Sequence, residues 1–89
     1  MPEIDRESAI PPYRQMHAIL KEKIVSGEIL PGKLLPSELS LEEEYGISRD
    51  TIRKAVSLLR DEGLVETAQG LGIAVVDPES DSSKGESAT

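Results

Sequence analysis

The sequence predicts a mainly α, α+β fold in which three helices are followed by a two-stranded β-hairpin. Two segments repeat apolar residues at spacings of three and four, as the buried face of a helix does. A short segment with helix start and stop signals lies between them. Two β-rich runs, LVET and IAVV, then flank the glycine-containing sequence AQGLG, as the strands of a hairpin would.

The composition describes one small domain with an aliphatic core. The chain has 89 residues, of which 37% are hydrophobic, with no Phe or Trp and two Tyr. The absence of cysteine excludes disulfides, cysteine-based zinc sites and thiol catalysis. No apolar run approaches the roughly 20 residues that span a bilayer, and the polar N-terminus is unlike a secretory signal. We therefore expect a cytoplasmic protein with no membrane association.

The negative charge lies mostly at the two ends of the chain. The total is −7, with −2 in residues 1–11, −2 in residues 12–76 and −3 in residues 77–89. The last segment, DPESDSSKGESAT, is too polar to bury the surface that would offset its ordering entropy. We predict a flexible N-terminal arm over residues 1–10, a domain over residues 11–76 and a disordered acidic, serine-rich tail over residues 77–89.

The first helix begins at Pro12, which suits a first turn, and ends at Gly27. The connector EILPGKLLP has a turn at Pro31 and Gly32 and allows a short strand over residues 33–35. The apolar stripe of the helix comprises Tyr13, Met16, Ile19, Leu20 and Ile24.

Ser37 is placed as the N-cap of a second helix, ELSLEEEY, which ends at Gly46. Its run Glu42–Glu44 is interpreted as a solvated face, because consecutive helical side chains diverge and cannot share one metal ion. His17 is the only histidine, and no nucleophile constellation accompanies it. We therefore predict no catalytic residue, no metal site, no cofactor and no enzymatic activity.

The third helix has Ser48 as its N-cap candidate and ends at Gly63. Projection at 100° per residue divides it into an aliphatic face and a polar face with a basic bias. The aliphatic face comprises Ile52, Ala55, Val56 and Leu59, and the polar face Arg49, Asp50, Arg53, Lys54, Ser57 and Arg60.

Two helices joined by a short turn with glycine are typical of a helix-turn-helix, and the hairpin that follows makes it a winged helix-turn-helix. The second helix of such a unit enters the major groove of DNA with its N-terminal residues against base edges. Here that end carries Arg49 and Arg53, one turn apart on one face, and Thr51, which can hydrogen-bond a phosphate.

Residues 11–76 resemble the N-terminal DNA-binding domain of the GntR family of bacterial transcription regulators, through GEILPGKLLPSE, GISRDTIRKA, EGLVE and QGLG. The resemblance implies a regulator of transcription, and we predict a repressor that binds a specific double-stranded DNA operator. Because one small module with few cations binds weakly, we expect a homodimer on a pseudo-palindromic site. It places Gly70, with Gln69 beside it, at the wing tip near the minor groove. The candidate DNA-contacting residues are Ser37, Ser48, Arg49, Thr51, Arg53, Lys54, Gln69 and Gly70.

The chain departs from the family pattern where the family usually carries basic residues, namely at Leu39, around Thr67 and at Leu71. These departures support an alternative, a winged-helix protein–protein interaction module with weak or no DNA binding. Family members usually add a larger C-terminal effector domain, whereas a polar tail stands here. We therefore predict no small-molecule effector site within this chain.

Overall fold

The computed structural model describes residues 4–77. Three helices, α1 (Pro12–Val25), α2 (Glu38–Tyr45) and α3 (Arg49–Asp61), precede two antiparallel strands, β1 (Val65–Ala68) and β2 (Gly72–Val75). This order confirms the predicted winged helix-turn-helix, with each strand displaced by one residue from the predicted run. The predicted tail lies outside the described residues except for Asp77. Within residues 4–77, no helix is both long enough and apolar enough to cross a membrane.

Both predicted serine caps are present. The hydroxyl of Ser37 accepts a hydrogen bond from the backbone N–H of Ser40 at 3.1 Å, and Ser48 caps α3 in the same way. Gly46 ends α2 with a φ of 64°, a left-handed conformation that glycine adopts without strain. Its N–H donates to the carbonyl of Glu42 at 2.8 Å. Local side-chain and backbone chemistry therefore sets the tight turn between α2 and α3.

The hairpin is attached to the helices through the connector between α1 and α2. Leu34 forms an isolated antiparallel bridge with Ala74. The N–H of Leu35 donates to the carbonyl of Ile73 at 2.8 Å, and the N–H of Val75 donates to that of Lys33 at 2.9 Å. The extended segment predicted over residues 33–35 is thus present, shortened to one bridge. It joins the wing to the start of α2.

The core is aliphatic and lies between α1, α2, α3 and the hairpin. All four residues of the predicted apolar face of α3 are buried, and Ile52, Ala55 and Leu59 have no exposed surface. Burying one such large aliphatic side chain contributes about 1.5–3 kcal/mol. This packing holds α3 with its polar face outward. The largest fully buried side chains are Met16, Leu20, Leu41, Ile52, Leu59 and Val65.

Residues 4–10 lie against the helical domain. The side chain of Gln15 accepts a hydrogen bond from the N–H of Asp5 at 2.7 Å and donates to the carbonyls of Asp5 and Ile10. Arg6 donates to the carbonyl of Gly46 in the turn between α2 and α3. These contacts describe how the segment docks, and the flexibility expected of residues 1–10 stays a prediction.

Candidate nucleic-acid interface

An open groove of about 1020 Å³ lies between the start of α2, the outer face of α3 and the hairpin. It brings together four of the eight candidate residues, from the two helices and the wing. The candidates that line it are Ser37, Arg49, Arg53 and Gly70. Ser48, Thr51, Lys54 and Gln69 lie outside its lining.

Ser48 and Thr51 form a small hydrogen-bonded unit at the N-terminus of α3. The Ser48 hydroxyl accepts from the N–H of Thr51 at 3.2 Å and lies 2.9 Å from the Thr51 hydroxyl. A hydroxyl donates one hydrogen bond and accepts two, so both groups keep capacity for a further partner. The N-terminus of α3 also favours an anion through its backbone N–H groups.

The two candidate arginines of α3 contact carboxylates of α2. Nε of Arg49 lies 2.9 Å from Oε2 of Glu42 and 3.7 Å from Oε1 of Glu38. Nε of Arg53 lies 3.1 Å from Oε2 of Glu38. Both arginine side chains nevertheless keep half or more of their surface exposed. The basic face is therefore a set of ion pairs between α2 and α3 with the guanidinium groups toward solvent.

The carboxylate of Glu38 raises the pKa of Arg53, chiefly because the hydrogen bond stabilises the charged guanidinium. The interpretation of Glu42–Glu44 as one solvated face was wrong for Glu42, which contacts Arg49 and is only 25% exposed. A signal was present in the sequence. Two glutamates four residues apart on one helix face two arginines four residues apart on the next, across a tight turn.

Lys54 lies on the other side of α3, toward α1. Its ammonium is 5.6 Å from the centroid of the Tyr13 ring, within reach of a cation–π contact. It borders a second, shallow depression of about 670 Å³, whose lining includes Asp50 and Asp61. Arg53 borders both depressions. The structure therefore separates Lys54 from the groove that holds Arg49.

The tip of the hairpin carries Gln69 and Gly70, both exposed. The turn closes through a 2.8 Å hydrogen bond from the N–H of Leu71 to the carbonyl of Ala68, and Gly70 has a φ of 79° that favours glycine. The side chain of Leu71 is 73% exposed at this tip, and Leu39 is 55% exposed across the groove. Leu39 and Leu71 thus expose apolar surface at two positions where the GntR family usually carries basic residues.

Comparison with known proteins agrees with this architecture. Residues 12–75 match the model of the family described as bacterial regulatory proteins, gntR family. The HTH-type transcriptional repressor NagR of Bacillus subtilis (strain 168) is 44% identical over 75 residues, which cover 84% of this chain and 31% of NagR. The chain therefore spans between a quarter and a third of the length of such curated relatives.

Solved structures of similar chains share the fold. The DNA-binding domain of AraR in complex with operator ORE1 is 36% identical with a TM-score of 0.74, over 85% of this chain and 93% of that one. YtrA from Sulfolobus acidocaldarius, a GntR-family transcription factor, is 30% identical with a TM-score of 0.77, over 98% and 94% of the two chains. The likeness covers all three helices and the hairpin.

Proposed function

The chain belongs to the gntR family of bacterial regulatory proteins, and from this premise we propose that it binds a specific double-stranded DNA operator and represses transcription. The observation that carries the proposal is the exposed N-terminal end of α3. Arg49 and Arg53 project there beside the groove that the hairpin borders. The AraR domain of the same fold was solved in complex with operator DNA, which supports DNA binding by a domain of this kind.

In the proposed complex, α3 lies in the major groove with its first turn toward the bases. Arg49 and Arg53 contact guanine edges or phosphates, and a hydroxyl of the Ser48–Thr51 unit donates a hydrogen bond to a phosphate oxygen. The α2 N-terminus at Ser37 faces the backbone. The wing tip, with Gln69 and Gly70, reaches the adjacent minor groove, because a glycine without a side chain permits close approach. Lys54 contributes at the edge of α3.

Two copies on a pseudo-palindromic operator complete the proposal. One small module presents few cations, and the net charge of −7 opposes approach to DNA. Half-sites about one helical turn apart would let two α3 helices occupy successive major-groove faces. A full-site duplex should therefore bind two copies, and a single half-site should bind one copy much more weakly.

The experiment measures fluorescence anisotropy of duplexes that the 89-residue chain selects from a random-sequence pool, across a salt series. We expect R49A and R53A to weaken binding about tenfold or more, as loss of one base contact does. R14A is the matched control, because exposed Arg14 lies outside the groove and its guanidinium is 5.5 Å from the Tyr13 ring. Equal affinities for R49A, R53A and R14A would contradict the proposal.

A second candidate function, a protein-interaction module, draws on a different observation. Leu39 and Leu71 are exposed in the same groove, and the carboxylates of Glu38 and Glu42 offset the charge of the arginines. This alternative predicts weak or no binding to any duplex. The same salt series distinguishes the two functions, because phosphate contacts make affinity fall steeply with salt.

A further inference from the structure

The contact between Glu42 and Arg49 is the shortest ion pair between α2 and α3 within residues 4–77. Nε of Arg49 lies 2.9 Å from the carboxylate of Glu42, compared with 3.7 Å from that of Glu38. The Glu42 side chain is 25% exposed and that of Arg49 is 50% exposed. The Glu42 side chain is thus the less exposed partner of the pair, and half of the Arg49 side-chain surface is open to solvent.

The position of the contact on the guanidinium matters for recognition. Nε is the nitrogen nearest the side-chain stem, and the two terminal nitrogens lie beyond it in a planar fork. A hydrogen bond at Nε therefore restrains the plane of the fork and leaves the terminal donors for another acceptor. A guanine edge presents two acceptors, O6 and N7, that match such a fork.

The charge of Glu42 acts in the opposite direction on binding that is independent of sequence. A carboxylate next to the recognition surface repels phosphates and offsets one of the few cations there. The charge of Glu42 therefore lowers the overall affinity for DNA. By restraining Arg49, however, Glu42 favours the base sequences whose acceptors match the orientation of the guanidinium.

We infer that Glu42 is a positioning residue for DNA recognition: it orients Arg49 toward a guanine while it weakens binding to other sequences. The inference deepens the proposed function and rests on it. Glu42 itself contacts no base in this arrangement and acts through Arg49. Its removal should relax discrimination, whereas removal of another surface carboxylate should not.

Glu43 provides the matched control. It follows Glu42 on α2, is exposed, and forms no ion pair or side-chain hydrogen bond within residues 4–77. E43A therefore removes the same charge from the same helix without disturbing an arginine. E42Q serves as the conservative variant, because its amide oxygen can still accept from Nε although the negative charge is lost.

The experiment uses the 89-residue chain and two duplexes of equal base composition, one selected from a random pool by the wild type and one scrambled. Both E42A and E43A should bind the scrambled duplex more tightly than the wild type, because each loses a negative charge. E42A should lower the ratio of selected to scrambled affinity about tenfold, within the range of one base contact. E43A should leave that ratio unchanged, and E42Q should fall between them.

Circular dichroism of each variant establishes that it folds. If E42A does not fold, E42Q is compared with E43Q, and E42Q should again have the lower ratio of selected to scrambled affinity. Equal ratios for the Glu42 and Glu43 variants would overturn the inference and leave the proposed function standing. A wild type that selects no sequence from the pool would overturn the proposed function, and this inference with it. A repeated selection with E42A should lose one guanine preference in each half-site.

Discussion

Nε2 of His17 on α1 lies 2.9 Å from Oε1 of Glu62, the residue that caps the C-terminus of α3. Lys21, one turn further along α1, approaches the same carboxylate at 3.9 Å. The hydrogen bond with His17 is the main reason that the pKa of Glu62 lies below its ordinary value of 4.5. This contact ties the first helix to the end of the recognition helix.

The lowered pKa of Glu62 predicts a pH dependence of stability. Its contribution is fully present above pH 4.5, the unfolded value, and is lost as the pH falls through the lower folded value. On acidification from about pH 5 to about pH 3, the range in which carboxyl groups titrate, E62Q should therefore lose less thermal stability than the wild type. Thermal unfolding monitored by circular dichroism at a series of pH values measures this.

Glu22 supplies the control for that series. It is exposed on α1, and its side chain forms no ion pair or hydrogen bond in the described part of the chain. E22Q should follow the acid dependence of the wild type. An E62Q variant with the same acid dependence as E22Q would show that the His17 contact does not stabilise the fold.

Leu59 is fully buried, and we expect L59A to reduce the free energy of unfolding by about 2–5 kcal/mol. The loss combines the transfer free energy of the removed carbon atoms with the cost of the cavity that they leave. Leu71, which is 73% exposed at the wing tip, provides the control substitution of a leucine outside the core. L71A should change stability by less than about 0.5 kcal/mol. Urea denaturation of the two variants tests the assignment of the core, and a comparable loss for both would contradict it.

The N-cap of α3 should contribute measurably to stability. S48A removes the acceptor for the N–H of Thr51 and the contact with its hydroxyl, and should cost about 1 kcal/mol. S57A is the control, because exposed Ser57 lies within α3 and its hydroxyl makes no hydrogen bond inside residues 4–77. Alanine favours a helix interior, so S57A should be neutral or slightly stabilising. Equal destabilisation by the two changes, measured in urea, would be inconsistent with capping by Ser48.

The features that the sequence predicted correctly depend on local chemistry or on a strong period. Ser37 and Ser48 bond to a backbone N–H three residues away, and the buried face of α3 follows from the helical repeat. Both signals lie within a few residues of chain. The order of the three helices and the hairpin was predicted by taking these local signals one after another along the chain.

The features that sequence reasoning missed join distant parts of the chain. The bridge between Leu34 and Ala74 spans forty positions, and the length of the paired segment depends on how the connector before α2 lies against β2. The contact of Glu38 with Arg53 depends on the angle between α2 and α3, which the core side chains set. The charges were visible in the sequence, but their pairing required the relative placement of two helices.

The two exposed leucines Leu39 and Leu30 test whether the groove is the DNA-facing surface. Leu39 lines the groove at 55% exposure, whereas Leu30 is 54% exposed in the connector and lies outside it. L39R should tighten binding to duplex DNA at low salt and steepen the slope of log affinity against log salt by about 0.9, as one added phosphate contact does. L30R makes the same change in net charge and should have a smaller effect on both. The measurement is anisotropy with a scrambled duplex, so that base recognition does not enter. Equal slopes for L39R and L30R would indicate that only total charge matters and that this groove does not face the DNA backbone.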